Sequence, residues 1–239
     1  MHHQAIDTVI TESNRLFHQF LLAHTALSLG QGTLTDFPDT ICITTTVGLN
    51  IEIEPIPIGE LKRYRDELPK FLLEIFHGKL VQIWLECLSN LFQILVDLHF
   101  SGQRQFVELK KRNISFDFQE NTILENQVKD RLCRDFGFQN YSDRIKLLNG
   151  VFNPNQEQSE HLSNVSKNVQ VRNVFQHRKR EVDEFLLREL GVQKISLLDP
   201  SGKPQEYMLG DTLELSVPEF DSFRRSLLMV GQIWRKWNG

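Results

Sequence analysis

The residues Arg172-Asn173-Val174-Phe175-Gln176-His177 put a guanidinium and an imidazole in an R-x4-H spacing near the end of a segment with helical character. A guanidinium is permanently charged and can stabilise a crowded phosphate, whereas an imidazole titrates near neutrality and can move a proton to or from a ribose hydroxyl. Those two functions would suffice for metal-free RNA cleavage. In a chain with eight histidines the R-x4-H spacing is expected about half a time by chance, and asparagine directly after the arginine lowers that to roughly a few hundredths. Arg112-Asn113 serves as an internal control, because no histidine follows it at a useful distance.

The neighbourhood of the motif adds charge. Arg178-Lys179-Arg180 follows His177 directly and forms a candidate RNA-binding patch, although a short basic run is also the ordinary make-up of a solvated helix face. A formal net charge of −4 argues against a broad electrostatic coat for nucleic acid, so RNA contact should come from such a local patch. No metal or other cofactor is expected, since the histidines are scattered and His2-His3 is too short for a metal tract. Cys42, Cys87 and Cys133 are odd in number and far apart, which indicates reduced thiols rather than a disulfide framework or a CxxC zinc site. The patterns G-x-x-x-x-G-K, G-x-G-x-x-G, H-E-x-x-H and G-x-S-x-G are absent from the chain.

The elements that must hold the motif are legible as changes of period. With 239 residues, 40% of them apolar, the chain can bury a substantial core, and it reads as a single domain over residues 1–239. Residues 4–29 carry an amphipathic stripe whose one gap is Ser13, and Gly30 ends it. Strict alternation from Ile41 to Ile53 predicts a strand or hairpin within a β insertion over 31–58. After Pro55 and Pro57, a short helix should run to about Leu68, and Pro69 suits the first turn of a longer one.

That longer helix, with Leu72, Phe76, Leu80, Ile83, Cys87, Leu91, Leu95 and Leu98 at three- and four-residue spacing, is the expected central helix of a bundle. A transmembrane reading fails because Glu74, Lys79, Glu86 and Asp97 interrupt it. Leu124, Val128, Leu132 and Phe136 mark a further helix, and Ser142 or Asp143 should cap another that ends at Gly150. The motif helix should run from about Gln156 to His177, with Leu162, Val165 and Val169 inward. On a regular helix Asn173 falls within roughly 20° of Leu162, on the expected core line, and Arg172 and His177 flank it about 140° apart. Short strands are expected over 192–217, including Thr212 to Val217, before a last helix opened by Pro218. The fold class is therefore mainly α, a helical bundle with small β-hairpin additions. The N-terminus lacks a signal-peptide pattern, which points to the cytosol.

Arg172-Asn173 and His177 on a late helix, Gly210-Asp211 before a strand, and a final amphipathic helix together resemble the HEPN superfamily, over roughly residues 142–237. The resemblance implies a HEPN-like bundle and an endoribonuclease of toxin or defence type that needs no metal and leaves 2′,3′-cyclic phosphate ends. It further implies a homodimer whose paired motif helices form one cleft, with a cognate antitoxin protein as a partner. Carried onto this chain, the catalytic arginine is Arg172, the supporting polar residue Asn173 and the histidine His177. Many relatives have a short polar residue after the histidine, whereas this chain has Arg178.

One histidine cannot be base and acid at once. A two-fold dimer brings two copies to one phosphodiester, so one imidazole can act as base and its mate as acid. Other readings of the same residues are a hydrogen-bonded core histidine at His177 and a structural ion pair from Arg172 to Asp183 or Glu184. A HEPN-like dimerisation or interaction module without catalysis is the second function class. A single-stranded nucleic-acid binder is disfavoured, because basic and aromatic residues do not interleave along the chain.

Overall fold

The longest apolar stripe in the sequence becomes the longest helix of the computed structural model, which describes residues 2–30, 37–43, 46–47, 51–52, 55–109 and 124–237. Helix α2 (Ile58–Phe100) is continuous, with Pro69 inside it. The expected break at Leu68 does not occur. Proline removes one backbone hydrogen bond and crowds the preceding turn, but apolar residues on both sides of it, Ile58 and Leu73, are buried. Tertiary packing overrides the local penalty. The stretch Glu67–Phe100 is long and apolar enough to cross a membrane by composition, yet 50% of its apolar window is buried within the fold, as in a core helix.

Helix α1 (His2–Gly30) packs on α2 and on the last helix, α7 (Val217–Arg235). Its inward line is Ile6, Val9, Ser13, Leu16 and Phe20, so the polar gap at Ser13 lies inside the core. Ser216 caps α7 by accepting the Glu219 amide, and Pro218 sits in the first turn, where its missing N–H costs nothing. Helices α3 (Leu124–Phe138) and α4 (Tyr141–Phe152) close the bundle against α2. Helix α4 begins after Asn140, not at a Ser142 or Asp143 cap, and runs past Gly150 because Phe152 packs into the core. The bundle core is aromatic. Trp84 and Trp234 lie 5.3 Å apart, and Phe92 stacks on Phe136 at 4.0 Å.

The motif helix α5 (Ser159–His177) starts three residues later than expected, after left-handed Gln156 and Gln158. A helix that the sequence reading missed follows it. Helix α6 (Glu184–Leu190) is capped by the Asp183 carboxylate on the Leu186 amide and closed by Gly191 at φ 66°. Strands β1 (Cys42–Ile43) and β4 (Ile56–Pro57) pair antiparallel, as do β2 (Thr46–Val47) and β3 (Ile51–Glu52), so the alternating segment is a hairpin. Strands β5 (Ile195–Leu198) and β6 (Pro204–Tyr207) form a second hairpin. The expected strand over 212–217 is reduced to a single bridge between Thr212 and Glu181, since α7 already begins at Val217.

Two apolar clusters result, and α5 serves both. Val165 and Val169 enter the large bundle core, while Val171 and Val174 enter a smaller one with Val182, Leu186, Ile195, Leu197, Tyr207 and Leu213. Leu215 packs against both clusters.

A buried polar knot ties these parts together. Glu219 of α7, 0% exposed, accepts from Asn168 Nδ2 at 2.9 Å and from the Leu198 amide at 2.9 Å, and pairs with Lys167 at 2.8 Å. His77 of α2 shares a hydrogen bond with Asn168 Oδ1 at 3.0 Å. Removing one member of such a set leaves the others buried and unpaired. Glu219→Ala should therefore cost about 3 kcal/mol, read as a lower urea midpoint.

Burial of His77 pushes its pKa down from 6.5 to about 4. The unfolded chain thus takes up this proton at a higher pH than the folded one, and stability should fall as pH drops through that window and level off beneath it. Thermal melts from pH 7 to 4 should show a shallower slope in His77→Gln than in the native chain.

Candidate active site

Val171 and Val174 fix the last turns of α5 on the smaller core, and this sets what the motif side chains can reach. Within the helix, Ser159, Ser163, Ser166, Gln170, Asn173 and His177 fall within about 40° of one line, because their spacings alternate between three and four residues. The ridge is polar throughout. Its first part borders a cleft of about 400 Å³ between α4, α5 and the end of α6, lined among others by Tyr141, Lys146, Asn149, Ser166 and Gln170. Leu162 also lines this cleft, which is why Asn173, on nearly the same line, is half-buried rather than in the core as expected.

Arg172 projects from the other side of α5, toward α2, where its charge helps hold the His77 pKa down. The guanidinium is half-buried and makes no ion pair with a described carboxylate; its Nε is buried without a hydrogen-bond partner. Desolvation lowers its pKa. Arg172 Nη1 donates to Asn173 Oδ1 at 3.2 Å, and Asn173 Nδ2 donates to Gln170 Oε1 at 3.4 Å, so Asn173 connects the guanidinium to the cleft ridge. His177 is exposed at the end of α5, and its imidazole makes no hydrogen bond, ion pair or ring contact with a described residue. The structure thus joins Arg172 to Asn173 and leaves His177 on the ridge, about 140° round the axis from Arg172.

These positions decide between the structural readings. The core histidine is His77, not His177. Asp183 pairs with Arg178, not Arg172.

The basic run is not uniform. Arg178 pairs with Asp183 and lies over the Phe185 ring at 4.4 Å, while Arg180 pairs with half-buried Glu74 at 2.7 Å. Only Lys179 of the three is exposed and unengaged by described residues. Lys179 and Arg180 are both left-handed, at φ 51° and 67°, which costs side-chain-bearing residues about 1–2 kcal/mol each. The two ion pairs and the Val174 carbonyl, which accepts from the Arg178 and Arg180 amides, hold that strained turn in place.

Among the described residues no group of three or more His, Cys, Asp or Glu is arranged to hold a metal ion. The three cysteines are free, with Cys87 buried and its thiol pushed up to about 12 by desolvation. Gln170, Tyr141 and Lys146, which line the cleft beside the motif, were not singled out from the sequence. The three-four polar spacing along α5 was visible, but nothing in the sequence said that α4 leaves that ridge uncovered. A scan against protein-family models finds no match to the chain, and comparisons with curated proteins and with solved structures find none.

Arg180→Ala should leave Glu74 without its partner and lower stability by about 1 kcal/mol, near the upper end for a partly exposed pair. Lys179→Ala should stay within about 0.5 kcal/mol. Paired urea titrations check both.

Proposed function

We propose that this chain is a metal-independent endoribonuclease of HEPN type that acts as a cytosolic homodimer and leaves 2′,3′-cyclic phosphate ends. The observation that supports it most is that one helix end carries both a half-buried Arg172 guanidinium with no described carboxylate beside it and an exposed His177 imidazole, the latter on a polar ridge whose first part borders a cleft. A guanidinium buried against a structural carboxylate would already be neutralised. One without such a partner keeps its charge for an anion.

In the proposed reaction a ribose 2′-hydroxyl attacks the adjacent phosphorus while the imidazole of one protomer removes its proton. The P–O5′ bond breaks and the leaving oxygen takes a proton from the imidazolium of the second protomer. Arg172 of either copy stabilises the charge gathering on the non-bridging oxygens, with Asn173 orienting it. The separation of Arg172 and His177 around one helix suits this division, since residues flanking a face converge across a two-fold axis. Lys179 supplies a phosphate contact, and Arg178 and Arg180 shape the turn that presents it.

A second reading is a HEPN-like dimerisation module that cleaves nothing, with a cognate antitoxin protein as a partner in either case. It is favoured by one specific observation: two of the three cations assigned to RNA are already engaged by Asp183 and Glu74.

His177→Ala and Arg172→Ala should each lower cleavage of single-stranded RNA in EDTA by at least about 10²-fold while the protein stays folded. Asn173→Ala should lower it less, because Arg172 loses only its guide. A native chain that is a monomer by light scattering with RNA present would exclude the shared cleft. A folded dimer that leaves a varied RNA pool intact would replace the enzyme by the module.

A further inference from the structure

The cleft beside the motif has the make-up of a base-recognition pocket, and this inference rests on the ribonuclease reading. It opens on the same α5 ridge that ends in His177, and its volume of about 400 Å³ lies in the range of small-ligand sites. Its lining includes the apolar side chains of Leu162, Ile145 and Leu190, which suit the faces of a ring. Polar side chains line it as well. Gln170 is only 8% exposed, and its Oε1 is taken by Asn173, while its Nε2 donates to no described residue. Unlike Arg172 Nε, this donor is not sealed off from solvent, so it is open to a ligand that enters the cleft. Asn149, by contrast, is satisfied, accepting from the Trp234 indole and donating to Gln156, so it serves as wall rather than reader.

Position matters as much as composition. Gln170 lies two turns before His177, about 10 Å along the helix axis. That is within reach of the base of a nucleotide whose phosphate sits at the imidazole. Lys146, exposed at the rim and in no ion pair with a described residue, is placed to meet the next phosphate.

We infer that the α4–α5 cleft receives one unstacked nucleobase of a single-stranded RNA next to the scissile phosphate, with Gln170 Nε2 donating to an acceptor on its edge. The pocket therefore sets a nucleotide preference at one position flanking the cut, independently of the residues that cut.

The test compares Gln170→Leu, which keeps the size and removes the donor, with Ser163→Trp, which fills the cleft from its exposed rim. Both are made in the full chain and checked for folding by thermal melts. Binding of fluorescently labelled single-stranded RNA oligomers, identical except for one base, is measured by anisotropy in a His177→Ala background. Cut sites in a random RNA pool are sequenced without that background change. Each variant should weaken binding of the preferred oligomer about tenfold, the worth of one good hydrogen bond, and flatten the base preference while the product ends stay the same. Should Gln170→Leu fail to fold, Ser163→Trp decides alone. Unchanged affinity and preference, or no RNA binding by the parent protein, overturns the pocket. So does a Ser163→Trp protein that turns monomeric, because the cleft would then be a contact between copies. If the native chain binds with this dependence but cuts nothing, the pocket stands and the enzyme reading falls.

Discussion

A fully buried carboxylate, that of Glu219, holds the architecture in register. Such a charge is tolerable only where donors surround it, and here three donors come from two elements: Lys167 and Asn168 on α5, and the Leu198 amide on β5. Asn168 passes the constraint to His77 on α2. Hydrogen bonds are directional where apolar contacts are not, so this set adds a specific rotation of α5 to the packing of its valines. By fixing that rotation, the knot determines that the Ser159 to His177 ridge faces outward and that Arg172 faces α2.

The same helix divides its labour along its length. Its first half is bundle core on one side and cleft wall on the other, while its second half leans on the β5–β6 hairpin through Val171 and Val174. Immediately beyond, two left-handed residues turn the chain sharply enough for Asp183 to cap α6 and hold Arg178 at once. The backbone strain at Lys179 and Arg180 is held by the ion pairs of Arg178 with Asp183 and of Arg180 with Glu74.

The fold also brings together residues that are far apart in sequence. Tyr64 and Phe71, exposed on one face of α2, border a cleft with Arg180 from the turn after α5. Aromatic and basic side chains that do not interleave along the chain are thus neighbours in space. Glu67 lies among them, so the cluster is of mixed charge rather than a cationic groove.

How much was legible follows from the range of the forces involved. Helix and hairpin periods are local, so the Leu80 to Leu95 stripe, the alternation after Ile41 and the last helix opened by Pro218 announced the class of fold, a helical bundle with small hairpins. Boundaries set by competition were less readable. Pro69 reads as a helix start because its local cost is plain, while the packing that carries α2 through it is not. Asn173 was placed in the core by its angle from Leu162, because a helical wheel gives direction but not what lies there. The sequence by itself determined which residues could do chemistry, Arg172 and His177, through their side-chain types and spacing. Only the tertiary structure decided that Arg172 is half-buried with no described counter-ion, that His177 is exposed, that Arg178 and Arg180 are held by Asp183 and Glu74, and that Gln170 opens on a cleft. Burial and ion pairing depend on what other segments bring to a position, and no spacing within one segment encodes that.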